Sequence, residues 1–96
     1  MNNTRRKELY AVAEILEKAK GANKNDIVDL IEDAKQALDT ILYDEESYLD
    51  NMPENLQSSY RYQAAEDACA NIECAIEALD NGDIKYAISY IYGATV

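Results

Sequence analysis

Carboxylates are the only chemistry-bearing side chains that this sequence supplies in number. It holds nineteen Asp and Glu, no His and two Cys in 96 residues. Without imidazole, the commonest general base and the commonest metal ligand are both missing. Any ion site would have to be made of carboxylates. Side chains three and four apart share a helix face, so Asp29, Glu32 and Asp33 form one acidic set. Asp44, Glu45 and Glu46, with Asp50 nearby, form another. Oxygen sets of this kind suit hard cations. Neither set has the spacing of a known binding loop, and the di-metal sites of helical bundles draw on Glu-x-x-His motifs that this chain cannot form. The expectation is no metal, no cofactor and no catalytic residue.

Two further acidic strings have the spacing of a metal motif. Glu14-Ile15-Leu16-Glu17 and Glu77-Ala78-Leu79-Asp80 match, as strings, the magnesium-holding motifs of helical nucleotide pyrophosphatases. Leu16 and Leu79 fall on apolar seams, however, which sets the carboxylates beside the core, and the gap between the strings is much longer than in those enzymes. A carboxylate-based metal enzyme is therefore the least favoured reading. Cys69 and Cys74, five apart, match neither a C-x-x-C redox pair nor a zinc spacing. Cys69 is expected in the core and Cys74 on the outer face, both as free thiols.

The elements that carry these residues follow from periodicity. An apolar stripe of Leu9, Val12, Ala13, Leu16 and Ala19 predicts a helix over 4–20 capped by Thr4. Gly21 to Asn25 breaks it, and Asn25 or Asp26 can cap a second helix over 26–52. That helix carries a seam of Ile27, Ile31, Ala34, Leu38, Ile41, Glu45, Tyr48 and Met52. Pro53 ends it. Ser58 or Ser59 can cap a third helix, over 58–80, with the seam Tyr62, Ala65, Cys69, Ile72, Ile76 and Leu79. Asp80 to Asp83 then leads into a short helix over 83–92 ended by Gly93, unless the third helix continues through a kink. Matched seams across a short turn predict an antiparallel hairpin. The whole is expected to be a single all-α domain over 1–96, a small bundle built on that long hairpin.

Glu45 is the one acid on a seam, and pairing with Arg61 or a Tyr hydroxyl is expected for it. The last helix is apolar around most of its circumference, so Tyr86, Ile88, Tyr90, Ile91 and Tyr92 either plug the end of the bundle or form a self-association or partner surface. No run approaches the roughly 18 apolar residues that a membrane span requires. The start, Met1 to Glu8, lacks the apolar core of a signal peptide, which predicts a cytoplasmic protein.

Charge is segregated along the chain. Residues 1–24 hold six basic and three acidic side chains, 25–60 hold one and ten, and 61–96 hold two and six, for a net charge of −10. Such a balance argues against binding nucleic acid directly. It favours a partner with a basic surface, met by an acidic, Tyr-bearing face of Asp39, Tyr43, Asp44, Glu46, Asp50 and Glu54.

The segment Asp44-Glu45-Glu46 followed by Asp50-Asn51-Met52-Pro53-Glu54-Asn55-Leu56-Gln57 resembles one found in short acidic helical proteins of phages and prophages of Gram-positive bacteria. Asn3-Thr4-Arg5-Arg6-Lys7 and the Ala/Ile/Glu-rich third helix are similar too. The chain departs from the pattern at Tyr48 and Leu49, at Gly21 to Asn25, and in its Tyr-rich end. The resemblance implies a phage setting and carries no established activity. By analogy of size and charge with anti-CRISPR proteins, the expectation is a non-enzymatic accessory protein that inhibits or modulates a host protein, such as a CRISPR or other defence nuclease. The alternative is a self-associating helical module, a homodimer, without an inhibitory role.

Overall fold

Four side chains start the four helices. Asn2 Oδ1 accepts from the Arg5 amide, Asn23 Oδ1 from Asp26, Ser59 Oγ from Tyr62 and Asp83 Oδ1 from Tyr86. Each satisfies an amide that the helix leaves without an internal partner. The computed structural model, which describes residues 1–96, shows α1 (Asn3–Ala19), α2 (Lys24–Asp50), a 3-10 turn (Glu54–Leu56), α3 (Tyr60–Asp80) and α4 (Ile84–Ala94). The all-α expectation holds, and α3 and α4 are separate helices.

Boundaries move where a cap lies earlier than expected. Asn2 starts α1 ahead of Thr4, and Asn23 starts α2 ahead of Asn25 and Asp26, because each Asn sits three residues before the amide it accepts from. At the far end of α2, the Asn51 amide bonds to Ser47 O and that of Met52 to Leu49 O, and Pro53 follows. The helix stops at Asp50. The stop of α3 is a Schellman motif: the Gly82 amide reaches Leu79 O, the Asp83 amide reaches Ala78 O, and Gly82 has φ +73°. Gly93 does not end α4. It lies inside the helix, where an added Cβ would stand 3.2 Å from the Asn71 side chain of α3.

Neighbouring helices run antiparallel in the order α1, α2, α3, α4, and α4 closes the ring against both α3 and α1. Landmarks fix the register: Arg5 meets Glu45, Lys35 meets Asp80, and Arg6 donates to the Thr95 carbonyl. The core draws Leu9, Val12, Ala13 and Leu16 from α1, Ala34, Leu38 and Ile41 from α2, Ile72, Ala75 and Leu79 from α3, and Ala87, Ile88, Ile91 and Ala94 from α4. Each fully buried Leu or Ile is worth about 2 kcal/mol. At about 40 Å, α2 is far longer than α4 at about 16 Å. The molecule measures 50 × 20 × 18 Å. No helix is long and apolar enough to cross a membrane.

Candidate acidic interface

The seam of α2 turns Ala34, Leu38, Ile41 and Glu45 inward. The opposite side carries the acidic residues: Asp39, Tyr43, Asp44, Glu46, Asp50 and Glu54 are all exposed. They do not form one face. Asp39, Tyr43, Glu46 and Asp50, stepping by four, three and four, lie in one stripe. Asp44 is two residues from Glu46 and so points about 160° away from it around the axis. It belongs to the α1 side, and Glu54 lies beyond the helix, in the 3-10 turn. Four of the six expected residues therefore make a surface together.

The stripe borders a groove that sequence reasoning did not assemble. Glu46 and Asp50 of α2 line it from one side and Glu66 and Glu73 of α3 from the other, with Leu49 and Cys69 on its floor. No Lys or Arg lines it. The sequence signal for Glu66 and Glu73 was their spacing of seven on the outer flank of α3, which becomes meaningful only once the hairpin register is known. Between Gln36 and Tyr60 there is no cation at all. Lys35, the last one before that stretch, is occupied by Asp80 at 2.7 Å and Glu32 at 3.6 Å. The hydrogen bond to Asp80 raises the Lys35 pKa above its ordinary value, against the opposing effect of desolvation, with the charges of Asp80 and Glu32 adding to the rise.

Cys69 beneath the groove is buried and Cys74 half-buried, and both are free thiols. Burial pushes the Cys69 thiol up to about 12, and the charges of Glu45, Glu46 and Glu73 act in the same direction. Thiolate chemistry is thereby suppressed. Glu17 pairs with Lys20 just past the end of α1, and Asp80 with Lys35, so both acidic strings that resemble magnesium motifs contribute to surface ion pairs. No three Asp, Glu or Cys side chains converge closely enough to share an ion.

Glu45 is paired, as expected, but with other partners. Its Oε1 accepts from Arg5 Nε at 2.6 Å, and its Oε2 lies 3.3 Å from the Met1 ammonium, which holds it by charge without a directional hydrogen bond. Both cations come from the start of α1, since that helix, rather than the start of α3, covers the seam at this level. Arg61 makes no ion pair.

On α4, Ile88 and Ile91 are buried in the bundle, so these two take the plugging role and leave the surface. The fourth helix fills the gap between α1 and α3, which accounts for its apolar circumference. Tyr86, Tyr90 and Tyr92 are exposed but diverge. Tyr86 and Tyr90 border a cleft against α3, while the Tyr92 ring lies 6.2 Å from that of Tyr10 on α1. No family model matches this sequence, and no curated protein or solved structure matches it either.

Proposed function

We propose that this protein acts by stoichiometric binding, without a reaction of its own, and that the acidic stripe and groove of the α2–α3 hairpin receive a basic surface of another protein. The observation that carries this reading is the exposed stripe Asp39, Glu46 and Asp50, of which Glu46 and Asp50 face Glu66 and Glu73 across a groove that no cation lines. Carboxylates concentrated along a rod about 40 Å long present charge at a spacing that a nucleic-acid-binding protein can accept in place of phosphates. Taken with the resemblance to phage and prophage proteins, the partner is a host protein that handles nucleic acid, such as a defence nuclease, and binding inhibits or modulates it.

The test is affinity capture from a bacterial lysate containing defence systems, with nuclease treatment and a salt series. The partner is expected to be held at low salt, lost at high salt and displaced by added DNA or RNA. The triple variant Asp39→Lys, Glu46→Lys, Asp50→Lys should release it, while Asp44→Lys, on the other flank of α2, should retain it. A partner held equally by the triple variant rules the stripe out.

A further inference from the structure

Arginine gathers at one end of the bundle, where α1 and α3 both begin. Arg5, Arg6 and Arg61 line a cleft of about 410 Å³ with Tyr48 and Tyr60. Three of the chain's nine Lys and Arg thus share one recess in a protein of net charge −10. Two of them are held in place by other groups of the chain. Arg5 donates through Nε to Glu45 and stacks 5.7 Å from the centre of the Tyr48 ring, and its terminal nitrogens make no hydrogen bond within the chain. Arg6 donates through Nε to the Thr95 carbonyl and through Nη1 to Asn3, leaving Nη2 free. Arg61 has no partner of any kind, although carboxylates outnumber cations by nineteen to nine.

A second recess of about 570 Å³ adjoins this one, with Tyr48, Tyr60 and Arg61 as shared walls and Met52, Pro53 and Leu56 as its apolar lining. Tyr60 is 84% exposed, a ring without a packing partner between a cationic and an apolar compartment. Guanidinium groups select phosphate and carboxylate oxygens, and tyrosine faces select planar rings. Each recess falls within the usual range for small-molecule sites.

We propose that this double cleft binds a small organic phosphate bearing a planar ring, of which a nucleoside monophosphate is the simplest. The phosphate oxygens accept from the free guanidinium N–H groups of Arg5, Arg6 and Arg61. The ring lies along Tyr60 toward Met52 and Leu56. This site is separate from the acidic groove and does not rest on its reading.

Calorimetric titration of the full chain at low ionic strength, with adenosine monophosphate, guanosine monophosphate, adenosine and inorganic phosphate, tests it. Saturable one-to-one binding of a nucleoside monophosphate, tighter than that of phosphate or adenosine, is expected. Arg61→Glu should weaken it by about tenfold or more, as loss of a charge-assisted hydrogen bond implies. Tyr60→Ala should weaken nucleotide binding and leave phosphate binding unchanged. Both side chains are exposed, so helical circular dichroism and the melting midpoint should stay those of the parent chain. No saturable binding at millimolar nucleotide overturns the proposal, as does phosphate binding as tightly as the nucleotide, or nucleotide affinity unchanged by Arg61→Glu.

Discussion

Glu45 is the one charged side chain that the core admits, with no exposed surface. Its two cations belong to residues whose side chains are little exposed as well, Met1 at 1% and Arg5 at 15%. Removing one member of a buried set strands the others, at about 3 to 5 kcal/mol. Glu45→Ala is therefore expected to lower the unfolding free energy measured in urea by an amount in that range, far beyond what any surface acid of α2 would cost. Its place on the seam was legible in the heptad spacing of Ile41, Glu45 and Tyr48. Its partners were not, since periodicity tells which side of a helix is inward and not which neighbour stands opposite. Cys69 gives a second prediction at this scale. Its thiol titrates at 9.0 when unperturbed and near 12 in the fold. Below pH 9 both states are protonated and the full stabilisation is present. Between pH 9 and about 12 the unfolded state binds fewer protons than the folded one, so stability falls as pH rises. Cys69→Ala should flatten that alkaline fall in unfolding measurements, and an unchanged slope would mean the thiol ionises freely in the fold.

The helices themselves were largely written in the spacing of apolar residues. All five residues of the stripe expected for α1 are buried, as are Ala65, Cys69, Ile72 and Leu79 of the α3 seam. Ends were less legible because Asn2, Asn3 and Thr4, or Asn23, Asn25 and Asp26, are all competent caps, and only the backbone path selects one. The glycines divide in the same way. Gly82 stands in the left-handed region that ends α3, whereas Gly21 does not and has open space where a Cβ would go. Gly82→Ala should cost about 1 to 2 kcal/mol. Gly21→Ala should be neutral or stabilise by up to about 1 kcal/mol, through the unfolded chain. Equal midpoints for the two variants in thermal melts would contradict this assignment of the turns.

At the scale of the molecule, charge segregation was plain in the sequence, and its geometry was not. Asp44 and Glu46 are near neighbours in the chain that end on opposite flanks, while Glu66 and Glu73 come from a different helix to face Glu46 and Asp50. Only the hairpin register makes that groove. The clustering of Arg5, Arg6 and Arg61 is of the same kind, since residues 5 and 61 share no local pattern. Burial of Ile88 and Ile91 and the divergence of Tyr86, Tyr90 and Tyr92 leave no single apolar patch on α4, so the isolated chain is expected to be a monomer.

The 50 × 20 × 18 Å envelope has a consequence for how that monomer moves. Its radius of gyration is 13.9 Å, against about 12.5 Å for a compact chain of this length. A rod suffers more friction than a sphere of equal mass. It tumbles slowly end over end and quickly about its long axis, so amide vectors along α2 should show longer rotational correlation times in spin relaxation than those lying across it. The same friction brings it off a gel-filtration column early, at the position of a heavier globular protein. Light scattering, which weighs a particle without regard to drag, should return 10.8 kDa from that early peak; twice that mass would show a second copy.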